Sequence, residues 1–156
     1  MISSLNIIYA STSGHTEYVT DVLKDFLQKK VPDLSVEIQS AEAATPEDLL
    51  KGDVLLLASG TWNISGTEGH MNPHMNEFLN KESKDIDLKG KNVAIIALGD
   101  SRYFYTSRAS ERLRNFIQSH GGTVFGVPMT IINEPFGQED RVEKWAYKFL
   151  SQLQEL

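Results

Sequence analysis

With 156 residues, 40% of them hydrophobic and 23% charged, the chain has the length and composition of one globular domain around one core. Its formal net charge of -6 is the opposite of a nucleic-acid footprint, which needs a basic face. The absence of cysteine excludes disulfides, thiolate metal sites and thiol nucleophiles, so any redox chemistry needs a bound cofactor.

Residues 1–6 lack the charged and long apolar stretches of a targeting signal, and no run approaches the roughly 18 apolar residues of a membrane span. A cytoplasmic protein with no membrane or nucleic-acid partner is expected. Residues 5–10 (LNIIYA) form the first apolar run, and Val19, Val22, Leu23 and Phe26 then keep the spacing of a helix buried along one stripe and stopped at Pro32. Residues 34–38 (LSVEI) alternate in polarity, which suits an edge strand. Residues 53–58 (DVLLLA) and 92–98 (NVAIIAL) are apolar on both faces, as central strands covered on both sides must be. Between them, Asn72 before Pro73 has the form of an N-cap with proline at the first helical position. Ala109, Leu113, Phe116 and Ile117 repeat the helical stripe up to Gly121-Gly122. A split strand, 123–125 and 129–132, and a helix from about Glu139 through Trp145 and Phe149 complete the chain. The pattern predicts one doubly wound α/β domain over residues 1–156, with a five-stranded parallel sheet and helices on both faces.

In such folds ligands sit beyond the carboxyl ends of the strands at the switch point, which directs attention to the loops after Ala10, Ala58 and Leu98. The first, Ser11-Thr12-Ser13-Gly14-His15-Thr16, offers four hydroxyls, a glycine and a helix N-terminus, a cradle for a phosphate dianion or simply a set of helix caps. It contains no lysine, and neither G-x-x-x-x-G-K-[ST] nor G-x-G-x-x-G occurs, so one terminal phosphate fits better than a triphosphate or dinucleotide. The second, Ser59-Gly60-Thr61-Trp62-Asn63 and onward to Thr67, carries a tryptophan past the end of a buried strand. The third, Gly99-Asp100-Ser101-Arg102-Tyr103, supplies another aromatic. Trp62 and Tyr103, from neighbouring strand ends, can flank a planar ring whose phosphate tail reaches the first loop.

These three loops, in this order, resemble those of the flavodoxins, small FMN-carrying electron-transfer proteins, and the resemblance runs from Leu5 to the last helix. The final strand continues without a long insertion, as in the short-chain branch. The resemblance implies strand order 2-1-3-4-5 and FMN as cofactor. It implies that Ser11, Thr12, Ser13, Gly14, His15, Thr16 and Thr61 bind the phosphate and that Trp62 and Tyr103 sandwich the isoalloxazine. Backbone groups of Gly99 and Asp100 would meet the pyrimidine edge, and Ser59, Gly60 and Asn63 complete the cofactor-binding set. No catalytic residue and no metal are implied. The expected function is that of a monomer passing single electrons at low potential between a reductase and acceptor enzymes. An FMN-dependent quinone or azo reductase is the alternative, and it needs a pocket over the ring that a chain of 156 residues has little length to build.

The chain departs from the family pattern in several places. Ser13 stands where threonine is usual and Asn63 where many members have glycine. Four of the five arginines fall between Arg102 and Arg114, whereas the family is usually acidic around its flavin. Residues 65–75 match no part of that pattern. His70 and His74 have the spacing of helical metal ligands, but Pro73 starts a helix between them, which separates their faces. Arg108, Arg112 and Arg114 lie opposite an apolar stripe and read as a solvated face, and Asp100 reads as a turn residue.

Overall fold

The computed structural model describes residues 2–64, 66–102 and 108–156. In chain order the elements are β1 (Ser4–Ala10), α1 (His15–Lys30), β2 (Ser35–Ser40), a 3-10 turn (Pro46–Leu50), β3 (Val54–Ile64), β4 (Thr67–Met71) and α2 (Pro73–Asn76), which runs on as a π-helical stretch, Glu77–Glu82. They are followed by β5 (Asn92–Gly99), α3 (Ala109–Ser119), β6 (Thr123–Val124), β7 (Met129–Ile132) and α4 (Glu139–Gln154).

Side chains along the central strands alternate between two cores, which is why their runs are apolar on both faces. Leu5 and Ile7 of β1, Leu56 of β3 and Ile96 of β5 pack with Val19 and Leu23 of α1 and Phe149 of α4. Ile8, Leu55, Leu57 and Ile95 face the other way, onto Met75, Phe78, Leu113 and Phe116. The sheet order is β2-β1-β3-β5-β6, with β7 continuing beside the far end of β5. Counting β6 and β7 as the split last strand, this is the expected 2-1-3-4-5, and the alternating strand does sit at an edge.

One expectation is corrected: residues 59–64 are not loop. β3 runs on past the sheet and pairs with β4, antiparallel, through Thr61–Met71, Trp62–His70 and Ile64–Thr67, so the sheet is not purely parallel. Between the two strands Gly66 has φ +79, a conformation that glycine reaches at no steric cost. Ser65-Gly66, between TWNI and TEGHM, was the available hairpin signal.

The helix boundaries follow the expected punctuation. Asn72 Oδ1 accepts the His74 amide hydrogen bond at 2.8 Å, with Pro73 opening α2. α3 stops ahead of Gly122, where a Cβ would lie 3.0 Å from Ile117 Cγ2 and 3.2 Å from Leu88 Cβ. Away from these ends, Asp48 ties the 3-10 turn together. Its carboxylate accepts from the Thr45 amide (2.8 Å) and pairs with Lys51 (2.7 Å), and its backbone carbonyl accepts from buried Asn6 Nδ2 (2.7 Å). The Lys51 and Thr45 bonds pull the Asp48 carboxyl down to about 2. Register sets the functional end: Ala10 of β1 lies beside Ser59 of β3, and Gly60 beside Leu98 of β5, so three chain segments leave the sheet at one edge.

Candidate functional site

The carboxyl ends of β1, β3 and β5 open on a cleft of about 810 Å³, within the range of cofactor pockets. Ser11, Thr12, Ser13, His15, Thr16, Gly60, Thr61, Trp62, Asn63, Gly99 and Asp100, all expected at a cofactor, line it together. Gly14, exposed, and Ser59, buried, each adjoin lining residues in the chain without lining the cleft themselves, and Tyr103 lies outside the described residues.

The first wall is a strand-to-helix turn. Gly14 is the N-cap of α1 with φ +91, and nothing lies within 4 Å of where its Cβ would be, so glycine is there for backbone conformation and not for space. Its amide donates to Ser11 Oγ (3.1 Å) and its carbonyl accepts from the Tyr18 amide (3.0 Å). The turn leaves the first amides of a 16-residue helix facing out beside the hydroxyls of Ser11, Thr12, Ser13 and Thr16. That donor set suits a phosphate dianion and needs no lysine. Thr61 is buried, and its Oγ1 accepts from the Ala109 amide at the start of α3 (3.2 Å). A hydroxyl that accepts in this way still carries a proton to donate.

Trp62 stands on the hairpin opposite His70, half-buried, where the register shifts before Ile64. Its indole lies across Gly60: a Cβ there would be 3.6 Å from Trp62 Nε1 and 3.9 Å from Thr16 Oγ1. The hairpin is braced from outside by Arg112, whose Nε donates to Gly69 O (3.2 Å). The helix arginines keep a solvated face, with Arg112 exposed, and two of them are also engaged: Arg112 supports β4 and Arg108 pairs with Glu111 (3.3 Å), while Arg102, ahead of the helix, forks onto Asp100. His70 on β4 and His74 on α2 belong to different elements, as Pro73 implies.

The third wall is a turn closed on itself. Asp100 Oδ1 accepts from both the amide and Nε of Arg102 (2.9 Å each), and the guanidinium holds the Asp100 carboxyl below its ordinary value. The turn is clamped by Asn133, which sequence reasoning missed. Its Oδ1 accepts from the amide and hydroxyl of Ser101 (2.9 and 3.1 Å), and its amide donates to Gly99 O (2.8 Å). Among the described residues Asn133 alone of the non-glycines has a left-handed φ, 66. Asparagine directly after the last apolar run was the signal, since asparagine tolerates that conformation better than most residues. Asn72 also lines the cleft, a role that its reading as a helix cap did not include. Phe136, reached from the same end of the sheet, packs on Tyr18 (4.7 Å) and edge-on to His15 (5.6 Å), closing over the first turn of α1.

The Flavodoxin family model matches residues 7–145. A flavodoxin of Maridesulfovibrio salexigens is 28% identical over 142 residues, covering 89% of this chain and 91% of that one. Probable flavodoxin 1 of Bacillus subtilis is 31% identical over 135 residues, covering 86% and 80%. Among solved structures, oxidised flavodoxin 2 from Bacillus cereus aligns with a TM-score of 0.84 at 27% identity over 96% of this chain and 99% of that one. No helix among the described residues is long and apolar enough to cross a membrane. With a switch-point cleft, a hydroxyl-lined strand-to-helix turn and this match over most of its length, the chain belongs to the flavodoxin family: it binds FMN and carries electrons between redox partner proteins, without substrate turnover of its own.

Proposed function

We propose that the cleft at the ends of β1, β3 and β5 is where this chain holds FMN, its phosphate against residues 11–16 and its ring between the hairpin and the turn after β5. The observation that carries this is the start of α1. A helix N-terminus capped by left-handed Gly14 opens into the same cleft as Trp62, at the point where the strand order reverses between β1 and β3.

In this reading the hydroxyls of Ser11, Thr12, Ser13, Thr16 and Thr61 and the amides of His15 and Thr16 hold the phosphate by hydrogen bonding, while the Gly14 amide stays on Ser11 Oγ. Trp62 covers one face of the ring and excludes water from it, with Tyr103 as the other wall. Backbone groups of Gly99 and Asp100 orient the pyrimidine edge, held there by Asn133, while Ser59, Gly60 and Asn63 shape the wall beside Trp62. FMN bound there supplies the redox chemistry, taking up and releasing electrons singly. The chain binds it, orients it and sets the charge around it. We further propose that residues 1–156 act as one cytoplasmic domain, a monomer alternating between a reductase and acceptor proteins.

The test is flavin-fluorescence titration of apoprotein with FMN and with riboflavin, alongside the absorption spectrum of the purified protein. FMN is expected to bind more tightly than riboflavin, because only FMN fills the hydroxyl-lined turn. Equal affinity would remove the phosphate assignment. Rapid bleaching of the bound flavin by NAD(P)H alone would return the small-reductase alternative.

A further inference from the structure

Asn72 is a polar side chain with almost no exposure, 1%, at a junction of three parts of the cleft. Its Nδ2 donates to Thr12 Oγ1 (3.1 Å), its Oδ1 accepts from the His74 amide (2.8 Å), and its backbone N–H donates to Ser59 Oγ (2.9 Å). Ser59 Oγ donates in turn to Gly60 O (2.9 Å), under the Trp62 indole. Capping a helix uses only Oδ1, and serine or aspartate caps as well as asparagine does. What asparagine adds is a side-chain donor, and here that donor ends on a hydroxyl 60 residues earlier in the chain.

A threonine hydroxyl has one proton to give and two lone pairs to receive. Because Nδ2 occupies a lone pair of Thr12, Asn72 leaves the Thr12 proton for another acceptor, and an anion in the turn needs donated protons. An aspartate at the same place reverses the bond. Thr12 then donates to the carboxylate, its proton turns away from the turn, and a negative charge stands beside the phosphate.

We propose that Asn72 is a positioning residue for the cofactor phosphate: it fixes the Thr12 hydroxyl as a donor into the 11–16 turn. The inference rests on the phosphate lying against residues 11–16, as proposed above. Asn72 thus touches both the first wall of the cleft and the strand that leads to Trp62, its side chain acting on Thr12 and its backbone N–H on Ser59.

The experiment measures FMN and riboflavin affinities of full-length apoprotein for the wild type, Asn72→Asp, Asn72→Ser, Thr12→Val and the double variant Thr12→Val/Asn72→Asp. Asn72→Asp keeps the His74 cap and the Ser59 bond. It should weaken FMN on the order of tenfold, the scale of a hydrogen bond to a charged group, and leave riboflavin within about twofold. Asn72→Ser keeps a cap without the charge, and its FMN-to-riboflavin ratio should fall less. A merely structural role lowers both ligands in parallel, and that result, or an unchanged ratio in Asn72→Asp, overturns the proposal. In the Thr12→Val background Asn72→Asp should add little; fully additive losses would mean that Asn72 does not act through Thr12. A wild type that binds riboflavin as well as FMN instead removes the phosphate assignment, and the proposal with it.

Discussion

The two ends of the cleft are held by different means. At the turn after β1, a left-handed glycine, a 16-residue helix and a nearly unexposed asparagine fix the donors from behind. At the other end, where the ring is proposed to lie, Trp62 rides on a hairpin that has left the parallel sheet, and the opposite turn is closed by an Asp100–Arg102 pair whose arginine side chain is 80% exposed. The first end is an exposed turn tied to buried Asn72 and Thr16 behind it; the second is carried on a hairpin beyond the parallel sheet. On the proposed binding mode, that division places affinity at the start of α1 and adjustment at the hairpin, where fewer buried contacts resist it.

The largest test of this contrast is Gly14→Val. At φ +91 a β-branched side chain is strained although no neighbour obstructs it, so FMN affinity should fall by about 1–3 kcal/mol, with riboflavin affected less. Gly14→Asn should recover part of the loss. Titration of both ligands decides it, and a valine variant that binds FMN normally would mean that the turn is not the anchored end. Trp62→Ala should come next, weakening FMN by about 1–3 kcal/mol, the range for stacking on an aromatic side chain, and riboflavin by the same factor. A loss confined to FMN would put Trp62 at the phosphate and dissolve the contrast.

A third variant serves as a reference outside both ends. Asp48→Ala removes the Thr45 and Lys51 bonds and should lower the apoprotein melting temperature by about 2–4 °C at pH 7 with flavin affinity unchanged. The sign of its pH dependence follows from the depressed carboxyl. Because Asp48 holds its proton less tightly when folded, its contribution is full above about pH 4 and is lost as pH falls toward about 2. The wild type and the variant should therefore converge in melting temperature at the acid end. The smallest effect belongs to Arg102→Glu. The guanidinium is exposed and already committed to Asp100, so the reduction potential of the bound flavin should become more negative by only about 10–40 mV at low salt, the scale of an exposed ion pair. Spectroelectrochemistry at two salt concentrations measures it, and a shift above 100 mV or toward positive values would show the ring end to be as tightly organised as the other.

Much of the fold could be read from the residues because burial leaves a periodic mark. Leu55-Leu56-Leu57 and Ile95-Ile96 are apolar without alternation since each neighbour enters a different core, and Asn72-Pro73 announces a helix through its own chemistry. The cleft was legible to the extent that it is made of consecutive residues, as in 11–16. What escaped depends on pairing between distant segments. Asn133 has no periodicity to betray it, and its role exists only because β7 lies beside β5. The hairpin was hidden for another reason: beyond Ser59 the strand includes Gly60 and Asn63, residue types depleted in strands, while pairing with β4 makes the segment strand. Arg112 escaped in the same way, since a backbone carbonyl 43 residues away leaves no trace in helical spacing.

The strand order carries one last consequence, and it is electrical. β2 ends the sheet on one side and β6 on the other, so two segments that differ in charge lie toward opposite flanks. Residues 17–53, which span α1, β2 and the turn beside them, hold nine carboxylates against four lysines, whereas residues 100–114 hold four arginines against two carboxylates. The molecule is thus a dipole superimposed on a net charge of -6, its axis running across the strands. A charged body approaching within the roughly 8 Å screening length of physiological salt exerts a torque on that dipole as well as a pull on the net charge. Rotation toward one preferred facing begins before any side chain is touched, and the cleft turns with it.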